Sequence, residues 1–151
     1  MNVAAETGPT LLQVAPAMFD SVWPHCEALM RRGLAIAPEL HNRETRGRIA
    51  DGTLQSWMIT ESEPARLLAV FFTDINVEAD GSKWVCVHAL AGRQMWRWAR
   101  KLSDGMDKFA RAEGCQSIRF AGKRGWGRVL REYRVIGGHG FGSLIFERAV
   151  A

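Results

Sequence analysis

The chain changes its hydrophobic period twice between residues 83 and 122, and few folds accommodate that. "KWVCVHAL" (83–90) alternates apolar and polar positions, as a half-buried strand does. From about Arg93 to Glu113 the apolar residues Met95, Trp98, Leu102, Met106 and Phe109 recur at three- and four-residue steps, while Arg97, Arg100, Lys101, Asp104, Lys108 and Arg111 fall on the other side. That spacing predicts one long amphipathic helix, ended by Gly114. "QSIRFAG" (116–122) then returns to alternation, with Ile118 and Phe120 inward. A strand, a helix and a second strand in this order predict a right-handed parallel crossover.

Upstream, "LLQVAP" (11–16) reads as a short strand. A helix is expected from Asp20, its N-cap, to Arg32, with Trp23, Cys26, Leu29 and Met30 on one face and Pro24 in the first turn. Thr45–Ala50 reads as a second, shorter helix. "QSWMIT" (55–60) and "RLLAVFFTDI" (66–75) are strands; the second is apolar on both faces, as in the middle of a sheet. With the turn "ADGS" (79–82) they form an antiparallel meander that runs into the crossover. Downstream, a short helix is expected over Trp126–Tyr133, "GGHG" as a flexible turn, and "FGSLIFERAV" as the last strand. The order is β-α-α-β-β-β-α-β-α-β: an α/β (α+β) fold with a mixed central sheet and helices on both faces. The 151 residues show no repeat or linker, so residues 1–151 read as a single domain.

Charge is unevenly spread. Residues 1–81 hold six basic and eleven acidic residues, whereas residues 82–151 hold fourteen and five, a net of +9. A basic C-terminal half favours an anionic partner: a phosphorylated cofactor, nucleic acid or an acidic protein face. The longest apolar run, "LLAVFF", is too short for a bilayer, and the N-terminus lacks a signal-peptide pattern, so a cytoplasmic protein is expected, with no membrane partner. Cys26, Cys86 and Cys115 are widely spaced without a C-x-x-C pair; neither a disulfide framework nor a metal site is expected from them.

The element order, the strand running into the long helix at 83–113, and "REYRVIGG" (131–138) together resemble the GNAT superfamily of acyl-CoA-dependent N-acetyltransferases. "LQSWMIT", "GCQSIRFAGKRGWGRVLREY" and the C-terminal strand are similar to GNAT-like proteins encoded by tailed bacteriophages. The resemblance covers nearly the whole chain. It implies acetyl-CoA as cofactor, with the pantetheine arm along Val85 and Val87 and the pyrophosphate in the turn at Gly92, Arg93, Gln94 and Arg97, where helix N–H groups and the helix dipole favour an anion. It also implies Tyr133 as the acid that protonates the leaving thiolate, Gly138 standing where the family's pattern has Phe. His88, on the side of its strand shared with Trp84 and Cys86, is the candidate base for an amine acceptor; Asp74 and Glu61 are alternatives.

One departure divides the reading. The family's turn carries small residues where this chain has Trp96 and Trp98, with Arg93 kept. Either Trp96 turns outward and the turn binds acetyl-CoA, or the indoles close the site. In the second case the chain is a catalytically silent GNAT-like phage protein, a virion component or a module that binds a phage structural protein, a host protein or, weakly, nucleic acid through its basic, Trp-rich half. "GKRGWGR" (122–128) belongs to that surface; "GGHGFG" (137–142) lacks the setting of a nucleotide loop.

Overall fold

A computed structural model of the protein describes residues 8–33, 42–62, 65–140 and 142–151. In chain order the elements are β1 (Thr10–Val14), a 3-10 turn (Pro16–Met18), α1 (Phe19–Gly33), α2 (Arg43–Ala50), β2 (Gln55–Ser62), β3 (Ala65–Val77), β4 (Lys83–Gly92), a 3-10 turn (Met95–Arg97), α3 (Ala99–Ala112), β5 (Ser117–Gly122), α4 (Trp126–Val129), β6 (Arg134–Gly138) and β7 (Leu144–Ala149). The strands form one seven-stranded sheet in the order β1-β2-β3-β4-β5-β7-β6. Among the described residues only β4 and β5 run parallel; the other neighbours are antiparallel.

The expected mixed sheet, meander and crossover are present, and each face of the sheet carries helices. Odd positions of β4, Val85 and Val87, point with Phe71, Ile118, Phe120 and Phe146 into a core closed by Trp98, Leu102, Met106 and Ala110. On the other face Val70, Phe72 and Ala91 meet Phe19, Trp23, Cys26, Leu29 and Met30 of α1 and Ile49 of α2. Burying each large aliphatic side chain contributes about 1.5–3 kcal/mol, so the stripe of α3 is enough to fix its seat. Asn42 caps α2, its Oδ1 accepting from the Thr45 N–H at 2.8 Å.

Four boundaries differ from the sequence reading. α1 starts at Phe19, which leaves Pro24 inside the helix instead of in its first turn. The long helix starts only at Ala99; Gln94 takes a left-handed φ of 56° and Met95–Arg97 is 3-10, because the chain must first leave β4. The short helix ends at Val129, and Tyr133 lies in the connection to β6. β6 is an element the spacing does not predict, and its last two residues, Gly137 and Gly138, fall in the expected "GGHG" turn. Among the described residues it pairs only with β7, forming a terminal hairpin with Val135 and Ile136 exposed.

α3 also buries two polar residues. The Ser103 hydroxyl meets Oε1 of Glu132 and Nη1 of Arg148, both at 3.0 Å. Asp107 accepts the Ala151 N–H at 3.0 Å and pairs with Arg111 and Arg148, which ties the last strand to the helix.

Candidate functional site

β4 and β5 are in register from Trp84/Ser117 to Val87/Phe120 and then part. β4 bulges there: between the pairs Phe72/His88 and Val70/Ala91 it carries one residue more than β3, and Ala89 takes a φ of 54°. Beyond the bulge β4 continues along β3 to Gly92, while β5 follows β7 to Gly122. The diverging ends make a wedge, the place for a ligand inserted between strands.

Two indoles bridge that wedge. Trp98, 1% exposed, donates from Nε1 to the Arg93 carbonyl at 2.7 Å and lies so close to Gly92 that a Cβ there would stand 2.6 Å from its Cζ2. Trp126 lies against Gly122 in the same way, 2.9 Å from where a Cβ would be. The two ring centroids are 6.1 Å apart. Gly92, Trp98, Trp126 and Gly122 therefore form a continuous row from the end of β4 to the end of β5, and the close approach that glycine permits is used by indoles. Trp96, the residue expected either to block the turn or to stack on a ligand, is 73% exposed and takes no part in the row.

Three of the turn's backbone donors are engaged. The N–H of Arg93 bonds the Leu68 carbonyl at 2.9 Å, that of Arg97 the Gln94 carbonyl at 2.9 Å, and that of Trp98 the Met95 carbonyl at 3.1 Å. The Arg97 guanidinium bonds Oε2 of Glu61 at 2.5 Å, and Arg66 holds the other carboxylate oxygen. Oε1 of Gln94 accepts from Arg66 at 3.0 Å and from Arg97 at 3.1 Å. Arg97 and Arg66 keep the Glu61 carboxyl below its ordinary range. An internal carboxylate thus sits where the cations beside the turn converge. Arg93 is exposed. Val85 and Val87 have both side chains in the core and lie in register with β3 and β5 on their two sides, so the strand edge opens only after them.

Tyr133 and His88 are not brought together. Tyr133 is 6% exposed, its ring 5.3 Å from Phe120; burial pushes the phenol up, against the influence of Ser103 and Arg148. His88 points from the opposite face of the sheet, following the alternation along β4. Its Nε2 lies 2.9 Å from Oδ1 of Asp74, and its Nδ1 lies 3.7 Å from Sγ of Cys86. Asp74 also accepts from Asn76 at 2.9 Å and from Arg48 at 3.2 Å. Asp74 and then Cys86 push the His88 pKa up to about 10. A ring that stays protonated at neutral pH does not take a proton from an amine. Burial opposes ionisation of Asp74, but hydrogen bonds from His88, Asn76 and Arg48 outweigh it and hold the carboxyl below its ordinary value.

Neither a protein-family model nor a curated protein matches the chain. Solved structures do. A GNAT family N-acetyltransferase (YhbS) from Escherichia coli, in complex with CoA, shares 17% identity and a TM-score of 0.67 over 100% of this chain and 86% of its own. The fold is that of the GNAT N-acetyltransferases. A probable acetyltransferase from Staphylococcus epidermidis superposes at 0.71 with 10% identity, covering 95% of this chain and 99% of its own. Arabidopsis thaliana NAA60, in complex with acetyl-CoA, does so at 0.62 with 15% identity, covering 94% and 98%.

Some members of these two groups were hidden from sequence reasoning. Trp126 as the partner of Trp98, Glu61 as the anion of the turn, and Arg48 behind Asp74 join elements far apart in the chain. The Asp74–Cys86 pairing was within reach, because a hairpin turn centred on Asp80 places them opposite one another.

Proposed function

We propose that this GNAT-fold protein binds an acidic protein surface through its basic half and does not hold acyl-CoA between β4 and β5. The row of indoles across the wedge carries the reading. CoA and acetyl-CoA were bound by YhbS and NAA60; in this chain the residues present do not fit that group, since Trp98 and Trp126 take up its space and Glu61 neutralises Arg66 and Arg97. Among the described residues, Lys101, Lys108, Lys123, Arg124, Arg128 and Arg131 make no ion pair. A groove of about 750 Å³ between β1 and α3 sets Lys101 and Lys108, together with Asp104 and the ion-paired Arg97 and Arg100, around Leu11, Trp57 and Phe109. Its apolar floor suits a protein segment better than a phosphate backbone. The likeness of "LQSWMIT" and the 114–133 segment to tailed-phage proteins fits a partner within a phage particle or in its host. Among the described residues no helix is long and apolar enough to cross a membrane.

One observation favours a second reading. The bulge in β4 and the parting of β4 from β5 keep the backbone of a ligand wedge. With the indoles displaced, Gly92, Arg93, Gln94 and Arg97 would line its mouth, and acetyl transfer to an amine would again be open. Calorimetric titration with acetyl-CoA separates the two. No heat from the native protein, with binding gained in a folded Trp98→Gly or Trp126→Gly variant, is the expected result. Micromolar binding by the native protein overturns the proposal in favour of the transferase.

A further inference from the structure

Cys86, His88 and Asp74 lie in a line on the face of the sheet opposite to the core of α3. The register places Asp74 of β3 directly across from Cys86, and the two-residue repeat of β4 places His88 on the same face as Cys86. The result is a thiol 3.7 Å from one ring nitrogen and a carboxylate 2.9 Å from the other. The carboxylate is itself fixed from two sides by Asn76 and Arg48. Access is open: the His88 side chain is 45% exposed and Cys86 is half-buried, while Cys26 and Cys115 are buried. Ala89, the residue after His88, holds a positive φ that a non-glycine residue rarely adopts.

We propose that Cys86 is a nucleophile with His88 as its proton carrier and Asp74 as the group that positions the ring, and that it takes an acyl group from an activated ester or thioester reaching this face. The site is separate from the wedge and does not depend on acyl-CoA binding there. The sulfur reacts as the thiolate of an ion pair in which His88 carries its proton on Nδ1 while Nε2–H stays on Asp74. The sulfur attacks the acyl carbon, the bond from that carbon to its leaving oxygen or sulfur breaks, and the leaving group departs with the Nδ1 proton. The products are an acyl-cysteine and a free alcohol or thiol, with nothing oxidised or reduced. The elevated pKa of the ring is consistent with the proton resting on His88 before attack.

Acyl transfer suits the arrangement better than the alternatives. Alkylation or oxidation of a thiol needs no group to return a proton to a leaving atom, so a carboxylate-oriented imidazole would add little there. The same three residues could approach a cation, their donor atoms lying within 4.8 Å of one another. However, the imidazole stands between sulfur and carboxylate, Arg48 occupies the carboxylate, and Arg119 is in register beside Cys86 on β5. The guanidinium of Arg48 on that carboxylate disfavours a metal ion.

The test treats the full chain with p-nitrophenyl acetate and follows nitrophenol release and the acetylated peptide by mass spectrometry. One acetyl group on Cys86, and none on Cys26 or Cys115, is expected. Cys86→Ser should abolish it. His88→Gln and Asp74→Asn should each slow acetylation at least tenfold, while slowing alkylation by iodoacetamide much less, which separates proton delivery from exposure of the sulfur. Acetylation unchanged in His88→Gln overturns the proposal, as does equal acetylation of the buried cysteines. Stoichiometric zinc binding that is lost in Cys86→Ser and His88→Gln overturns it too, in favour of a metal site.

Discussion

At Gly92 a methyl group would come within 2.6 Å of Cζ2 of Trp98, 2.8 Å of Cβ of Ala69 and 2.9 Å of the Leu68 carbonyl. None of these neighbours is the free end of a flexible side chain. Gly92→Ala is therefore expected to destabilise the protein by about 1–3 kcal/mol in urea unfolding. Trp98→Phe in the same chain should recover only part of that, because Ala69 and the Leu68 carbonyl remain. His88 gives a prediction of another kind. It is faced by Asp74 from β3, Cys86 on its own strand, and, through Asp74, Arg48 from α2. A ring raised from 6.5 to about 10 on folding stabilises the fold fully below the lower value, and that stabilisation is lost as the pH rises through about 10. Asp74 has the opposite sense: its contribution is present above 3.8 and lost as the pH falls through its lowered value. The urea midpoint should fall between pH 7 and pH 10, and fall less in His88→Gln. The buried Cys26 thiol, raised to about 11, adds the same loss to both proteins and cancels in the comparison.

At the scale of the element, α3 holds the molecule together through polar as well as apolar contacts. Asp107 receives the Ala151 N–H and pairs with Arg148 of β7 and with Arg111, so Asp107→Ala removes a buried acceptor from three groups at once. A loss of about 1.5–3 kcal/mol is expected by urea denaturation, with the C-terminal amides exchanging faster. The apolar stripe of α3 was legible from its spacing, and the meander from the alternation of Trp57, Ile59, Val85 and Val87. β6 was not. "RVIGG" has two glycines and exposed side chains at most positions, and it becomes a strand only because β7 offers it a pairing edge. Ser103 and Asp107 were equally opaque, since a polar residue on a helix signals burial only when its partner, here Arg148, is placed by tertiary structure. The site was half legible: periodicity gave His88 its side of β4, but it could not tell that Tyr133 lies on the other face or that Trp98, not Trp96, turns inward.

Across the whole molecule the excess of positive charge remains after the ion pairs are formed. Glu61, Glu132, Asp107 and Glu147 are already occupied by Arg66 and Arg97, Arg100, Arg111, and Arg119 and Arg134. Lys101 and Lys108 of α3 and the cations of the 123–131 segment are left for a partner. Capture of an acidic protein should weaken progressively as salt rises from low to physiological strength, as surface plasmon resonance would show; affinity insensitive to salt would mean that the apolar floor of the groove dominates. A far steeper loss for duplex DNA, by many phosphate contacts, would point to nucleic acid instead.

The Glu61 clamp has a consequence for any phosphate in solution. A carboxylate tethered beside Arg66 and Arg97 acts as an intramolecular competitor, at an effective concentration on the order of millimolar or more. A free anion at lower concentration meets two cations already taken, whatever the tryptophans do. The turn is thus guarded twice, by volume and by mass action, and opening one guard leaves the other in place.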